Sequence, residues 1–373
     1  MSKSRAYFTI RPDLLGRVTF AVVLPVVVVL AGVMLGTASR TPGADPGPQR
    51  ASCSTAPLTT LGGLFGQAVA ANQLGLAVGA ATDAAGTSHA VLWRSDVPQR
   101  LVTGAAESTA VAVSARGDVV GTGRSETDAF GWVWSRGVTT RLKAEHDRVA
   151  VPSAINDRGL IVGAVAESGA AHGTVPNEDE NEQAALWESA TVAPAELSPL
   201  PGDDGGYAFA VDNHGRVGGM SAGTRFRPVI WGADRAPHAL PDLGGGYAAV
   251  RALSDSGVAA GDAVGTDGRD HPVMWDRAGR IIDLGLPAGA GSGQAQAILR
   301  DGVIMGTVEV PMPGGGSQSQ AVQWLRPGAF VLLPPARAGA ASSAAGATDA
   351  TSFVGTVMDA DGGRHPVRWR CGR

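Results

Sequence analysis

Lysine is almost missing from this chain: it occurs only at Lys3 and Lys143, and arginine supplies the remaining positive charge. Charged residues make up 17% of the sequence, below the quarter usual for a globular protein. Beyond residue 39 there are 26 basic against 33 acidic residues, a net charge of −7. No basic surface can come from that balance, which excludes nucleic acid as a partner. Two cysteines are too few for a disulfide-dense scaffold or a four-cysteine zinc site. No apolar segment after residue 55 holds a helical period over three turns, which excludes helix bundles and α/β folds. What is abundant is glycine, 53 residues, and that suits a turn-rich β protein.

One long apolar run does occur. Val18 to Ala38 carries no charge, and as a helix it would span about 31 Å, enough for a bilayer core. Lys3, Arg5, Arg11 and Arg17 precede it against Asp13. That bias puts residues 1–17 in the cytoplasm as a leader and everything after the run outside. The run at 18–38 reads either as a transmembrane signal anchor or as a signal peptide, with Gly36 and Ala38 as the small residues of a cleavage site. Residues 39–55, with Pro42, Pro46 and Pro48, read as a semi-rigid stalk.

The rest, 56–373, repeats. A glycine closes an apolar run at Gly79, Gly121, Gly163, Gly219, Gly261, Gly306 and Gly355. A tryptophan follows each, at Trp93, Trp134, Trp187, Trp231, Trp275, Trp324 and Trp369, and only Trp132 falls outside this register. A turn precedes the glycine, as in Asn156-Asp157-Arg158-Gly159 or Asp212-Asn213-His214-Gly215. Its first side chain bonds its own backbone, and its glycine takes the positive φ. A small, apolar strand comes before the turn, such as Val111-Ala112-Val113, and a leucine comes after the tryptophan, as at Leu101, Leu142, Leu197, Leu240 and Leu332. Four short strands per unit and seven units predict an all-β fold. The expected fold is a seven-bladed β-propeller of four-stranded antiparallel blades, preceded by one hydrophobic N-terminal helix.

The two ends predict how the ring closes. The last unit stops just after Trp369, without its fourth strand. Before the first unit, Pro57-Leu58-Thr59-Thr60-Leu61-Gly62-Gly63 matches Pro237 to Gly245 at both leucines and both glycines. The segment Leu58–Leu61 is therefore a spare fourth strand, expected to pair antiparallel with the strand ending at Trp369. The same match sets Cys371 level with position 51, two residues from Cys53. A Cys53–Cys371 disulfide is expected there, and an outside location permits it.

The phrases Ser88-His89-Ala90-Val91-Leu92-Trp93, Asp128-Ala129-Phe130, His271-Pro272-Val273-Met274-Trp275 and His365-Pro366-Val367-Arg368-Trp369 are shared between units. With the Asn-x-x-Gly turns and Leu61-Gly62-Gly63, they resemble the HAF repeat family of bacterial extracellular proteins over about residues 56–373. The resemblance implies a secreted or surface-exposed protein with a propeller-like fold, and it implies no catalytic residues.

Candidate chemistry is sparse. Gly219-Met220-Ser221-Ala222-Gly223 spells a nucleophile-elbow pattern, but that motif needs a strand-to-helix turn and no helix is predicted here. His89, His271 and His365 share one register in separate units, so they read as structural rather than as a metal set. Asn177 to Glu182 is an acidic insertion without calcium-loop spacing. Gly314-Gly315-Gly316 lacks the Lys-Ser/Thr of a phosphate loop. No catalytic residue, metal or cofactor is assigned. The predicted hub offers Ala, Val, Ile and Gln, with Arg251 as its main charge. The sequence is read as a monomeric, non-catalytic binding scaffold at the cell membrane or secreted, recognising a surface protein or a wall polysaccharide through propeller loops. An extracellular lyase or hydrolase of propeller fold is the alternative.

Overall fold

Each glycine–tryptophan unit folds into an antiparallel meander, because its strands are short, two to ten residues, and are separated by turns. The structure is a computed structural model and describes residues 53–145, 148–167, 182–299, 301–312, 316–334, 340–349, 352–359 and 362–371. No helix occurs among the described residues. The strands are β1 (Cys53–Pro57), β2 (Gly62–Ala71), β3 (Leu76–Asp83), β4 (Ser88–Arg94), β5 (Val97–Arg100), β6 (Glu107–Val113), β7 (Val119–Arg124), β8 (Ala129–Ser135), β9 (Val138–Arg141), β10 (Arg148–Ile155), β11 (Ile161–Glu167), β12 (Gln183–Trp187), β13 (Ala195–Glu196) and β14 (Gly205–Val211). They continue with β15 (Val217–Ala222), β16 (Phe226–Trp231), β17 (Pro237–Ala239), β18 (Gly244–Leu253), β19 (Ala259–Gly265), β20 (Asp270–Trp275), β21 (Ile281–Asp283), β22 (Gly293–Ile298), β23 (Ile304–Pro311), β24 (Ser317–Arg326), β25 (Ala329–Leu332), β26 (Ala341–Asp349), β27 (Ser352–Met358) and β28 (Arg364–Cys371). The inner strands β2, β6, β10, β14, β18, β22 and β26 pack in that order, and β26 returns to β2. The ring is closed, as a propeller requires.

The blade count corrects the sequence expectation. Among the described residues, five four-stranded blades stand as separate sheets, not seven. The strands β14 to β21 instead form one eight-stranded sheet. Its joint is a single parallel pairing of Phe226 on β16 with Tyr247 on β18. The cause is local. Gly244 and Gly246 take φ of +87° and +88°, which lets β18 begin early and turn towards β16. Arg225 donates to the Gly244 carbonyl (3.4 Å), and the Phe226 and Tyr247 rings pack with centroids 5.8 Å apart.

The repeat glycine has a steric reason. Opposite it, each inner strand carries a β-bulge, for example between Ala208 and Ala210 or between Val250 and Ala252. The bulge drives an inner-strand carbonyl onto the glycine. A Cβ at Gly219, Gly261 or Gly306 would sit 1.9 Å from the carbonyl oxygen of Tyr207, Ala249 or Gln294 respectively. Only glycine permits that approach.

The tryptophans bridge neighbouring blades. Trp93, Trp187, Trp231, Trp275, Trp324 and Trp369 are fully buried. Their indole Nε1 groups donate to the carbonyls of Thr59, Lys143, Ser198, Pro241, Gly285 and Pro334, at 2.7–3.0 Å. Each of those carbonyls follows a leucine, buried at Leu58, Leu142, Leu197, Leu284 and Leu333 and partly buried at Leu240. The unit of β6 to β9 differs. Trp134 holds the expected strand register, opposite Val119, but is only partly buried. Trp132, two residues earlier on the same face, is the fully buried ring. It lies against Gly121, and its Nε1 has no partner. The equivalent carbonyl, that of Val102, accepts from Thr139 Oγ1 instead (2.5 Å).

Closure happens as expected, but a few residues earlier in the chain. The strand that completes the last blade is β1, antiparallel to β28 with Thr55 opposite Trp369. Leu58, expected to start this strand, directly follows it: its N–H donates to the Pro366 carbonyl (2.8 Å), and its side chain is buried. The leucines matched in sequence are thus the core anchors after each fourth strand, as at Leu240, whose N–H donates to the Pro228 carbonyl. Cys53 and Cys371 face each other in this register and are disulfide-bonded across 318 residues. Asp96, in the turn after β4, adds a polar clamp: it accepts from buried Arg368 (2.5 Å) and from Arg370 (2.8 Å). The expected hydrophobic helix at 18–38, with the leader and most of the stalk, lies outside the described residues. No helix among the described residues is long and apolar enough to cross a membrane.

Candidate functional site

A β-bulge re-aims one side chain per inner strand. The bulged residues are Val69, Val111, Ser153, Phe209, Arg251 and Gln296. Each is partly exposed, whereas the residue before it is buried. On β2 and β6 the bulge presents valine. On β10, β14, β18 and β22 it presents Ser153, Phe209, Arg251 and Gln296. One side of the hub is therefore polar and aromatic.

Arg251 organises that side. Its Nε donates to Asp262 Oδ1 (2.8 Å), its Nη2 donates to the Tyr247 hydroxyl (2.6 Å), and its guanidinium lies 4.4 Å from the centre of the Phe209 ring. Phe209 packs on Tyr207 with centroids 4.7 Å apart. Ser153 donates to the Tyr207 hydroxyl from β10 (3.0 Å). On the other flank, Gln294 of β22 donates to Asp270 Oδ2 (3.0 Å), and Gln296 accepts from Thr307 (3.4 Å). Elements of four neighbouring units thus converge on one cluster.

Its electrostatics are those of a secluded site. Burial pushes the Asp270 carboxyl up to about 7, the negative charge of Asp262 adds to this, and Gln294, Arg251 and His271 oppose it. Burial acts against the Arg251 cation, but attraction to Asp262 and Tyr247 outweighs it and holds the guanidinium above its ordinary range. Burial also raises the Tyr207 phenol, with buried Glu182 adding to the effect. The Arg251 cation is paired with Asp262, beside an Asp270 acid that keeps part of its proton at neutral pH.

The residues singled out in the sequence do not converge. His89 contacts Asp83 (2.8 Å), His365 contacts Asp359 (2.8 Å), and His271 lies between Asp283 and Asp267 (2.9 and 3.2 Å). Each histidine thus pairs with carboxylates of its own unit. His271 also lines an open cleft of about 600 Å³ with Arg269, Asp283, Leu286, Pro287, Gly289 and Ala290. Ser221 is fully buried inside β15. It donates to Asp203 (2.6 Å) and accepts from the Leu200 N–H, so it has neither an elbow nor a histidine. In the acidic insertion, residues 177–181 lie outside the described residues, as do Gly314 and Gly315. Asp212, His214 and Asp255 bring ligand atoms within 4.8 Å of one another. Both Asp212 oxygens, however, already accept from Arg216 and from the turn amides of His214 and Arg216. Sequence reasoning found Arg251 but missed Asp262 and Asp270. One signal was there: Asp262 is the only charged residue directly after a repeat glycine.

No family model matches this chain, and no curated protein matches it. Solved structures do resemble it. A peptide-bound YCF48 is 11% identical over 89% of this chain and 99% of that one, with a TM-score of 0.51. Puromycin hydrolase is 15% identical over 79% of this chain and 50% of that one, also with a TM-score of 0.51, so this chain spans half its length. A lectin from Burkholderia pseudomallei is 14% identical over 87% of this chain and 96% of that one, with a TM-score of 0.44. At such identities the likenesses with a TM-score of 0.51 show the fold alone, an all-β propeller.

Proposed function

We propose that this protein is a non-catalytic binding scaffold at the cell surface, or secreted, that takes a wall polysaccharide at the hub around Arg251. The observation that carries the reading is the convergence of aromatic rings and fixed hydrogen-bonding groups on one partly open cluster. The half-buried rings of Phe209 and Tyr247 suit the C–H faces of sugar rings, with buried Tyr207 packed against Phe209. Arg251, Gln294, Gln296 and Ser153 supply donors and acceptors for hydroxyls. Arg251 is already compensated by Asp262, so the site does not select for a net anion. A neutral, hydroxyl-rich ligand fits that balance better than a charged peptide. The disulfide supports an oxidising location outside the cytoplasm.

Co-sedimentation of the full chain with purified cell-wall polysaccharide tests the reading. Arg251→Ala should abolish binding while leaving the melting curve with an intact cooperative transition. Unchanged binding by a folded Arg251→Ala chain refutes the hub as the site. The location is tested by fractionation: the full chain should stay with membranes through a salt wash, or appear in the medium beginning near residue 39.

A second reading has its own observation. Asp262 and Asp270 form a diagonal pair on one face of the sheet of β19 and β20, and Asp270 keeps much of its proton at neutral pH. A carboxylic acid poised in that way is suited to general acid work in a hydrolase or lyase. Release of new sugar ends from the bound polysaccharide, lost in Asp270→Asn, would favour the enzyme over the scaffold.

A further inference from the structure

Among the described residues, two carboxylate oxygens are buried without a hydrogen-bond partner: Asp262 Oδ2 and Asp270 Oδ1. Their sister atoms are committed, Asp262 Oδ1 to Arg251 and Asp270 Oδ2 to Gln294. The strand register brings the two acids together. Asp262 lies opposite Pro272, and Val264 lies opposite Asp270. Side chains alternate along a strand, so Asp262 and Asp270 share one face of the sheet as a diagonal pair. Two ionised carboxylates cannot both persist in such a place. Arg251 offsets one of them. A divalent cation would set a further positive charge beside the guanidinium, whereas one proton brings the cluster to neutrality.

We propose that Asp262 and Asp270 hold a single proton between them, donated from Asp270 Oδ1 to Asp262 Oδ2, and that this proton is the pH-responsive element of the hub. The proton belongs on Asp270. Asp262 is the fully buried ion-pair partner of Arg251 at 2.8 Å, whereas Asp270 accepts from the uncharged Gln294 amide. The other groups facing Asp270 are Arg251 on β18, His271 beside it on β20, and uncharged Gln294 on β22. Tyr247, on β18, faces Arg251, and Glu182 faces Tyr207 beyond it. Loss of the proton takes the cluster from neutral to a net −1 and leaves two carboxylates competing for one guanidinium. The proposal concerns the protein's own proton and goes beyond the ligand reading above.

The folded chain holds this proton to about pH 7, whereas an unfolded aspartate releases it near 3.8. Stability from this group is therefore complete below the unfolded value and is lost as pH rises through neutrality. Across that window the folding equilibrium constant should fall by up to about a thousand-fold on this account. Asp83, Asp267 and Asp276 shift the opposite way and act at acid pH, so the comparison needs a variant. In Asp270→Asn, the amide oxygen still accepts from Gln294 and the amide N–H replaces the shared proton. Urea denaturation of the non-reduced full chain should show the variant gaining on the wild type by about a hundred-fold in the folding equilibrium constant between pH 5 and 8, the part of that change that falls in this range. Parallel profiles overturn the proposal. If the variant fails to fold, ¹³C-carboxyl NMR of the aspartate-labelled wild type decides. One aspartate titrating near neutrality supports the shared proton, and every aspartate titrating below pH 5 refutes it.

Discussion

Replacing the buried tryptophans by phenylalanine, one at a time, isolates a single hydrogen bond against a constant background. At Trp231 the indole Nε1 donates to the Ser198 carbonyl at 2.7 Å, and at Trp369 to the Pro334 carbonyl at 2.7 Å. Phenylalanine fills most of the ring volume but cannot donate. The carbonyl left behind is partly buried, and losing its partner costs about 1–3 kcal/mol. The smaller ring adds a cavity term of about 1 kcal/mol. Trp231→Phe and Trp369→Phe should therefore each lose about 2–4 kcal/mol. Trp132 carries the same ring, equally buried, with no partner for its Nε1. Trp132→Phe pays the cavity term but removes an unsatisfied N–H, so the two contributions oppose each other. Its loss should be about 1 kcal/mol or less. Urea unfolding of the non-reduced chain followed by far-UV circular dichroism measures all three without relying on tryptophan emission. If Trp132→Phe costs as much as Trp231→Phe, the hydrogen bond is not the deciding quantity and the account of the blade joints is wrong.

Two further tests probe closure. Cys53→Ser with Cys371→Ser should lower stability by at most about 5–6 kcal/mol, the entropy term for so long a loop; amides of β1 should exchange first, and an unchanged melting temperature would deny the bridge its role. Asp96→Ala strips buried Arg368 of its carboxylate and should cost about 3 kcal/mol, measured by the same denaturation; a loss below 1 kcal/mol would mean that Ser352, which also accepts from Arg368 (2.9 Å), suffices.

How much of this was legible follows from which interactions are local. Strand positions were readable, because the Asn-x-x-Gly turn, the glycine and the tryptophan recur within one unit and each has a steric or hydrogen-bonding reason nearby. The pairing of the chain ends was readable, since a missing fourth strand at one end and a spare one at the other admit one solution. The register was not: Leu58 looks like strand, yet it is the anchor after the strand, a role visible only once its N–H is seen on Pro366. The separation into blades was misjudged because the Gly244–Gly246 turn permits a pairing across units that no repeat pattern encodes. Trp132 lies outside the register of the repeat, although burial on that face is decided by which ring reaches Gly121.

The hub was misread for a related reason. A two-residue period assigns alternate residues of an inner strand to opposite faces, and by that rule Arg251 is an isolated charge. The bulge breaks the period once per inner strand. It frees a single position from the packing demands on its neighbours, and the cost of that freedom is the glycine opposite, where a Cβ would collide with the displaced carbonyl. The scaffold can then vary the freed residue without disturbing the blades: valine on β2 and β6, but serine, phenylalanine, arginine and glutamine on β10, β14, β18 and β22. Asp262 follows from Arg251, because a guanidinium brought into the hub needs a carboxylate and the residue after the repeat glycine is the nearest one on the facing strand. The repeat glycines that look purely structural in sequence are therefore what allow the inner strands to carry a site.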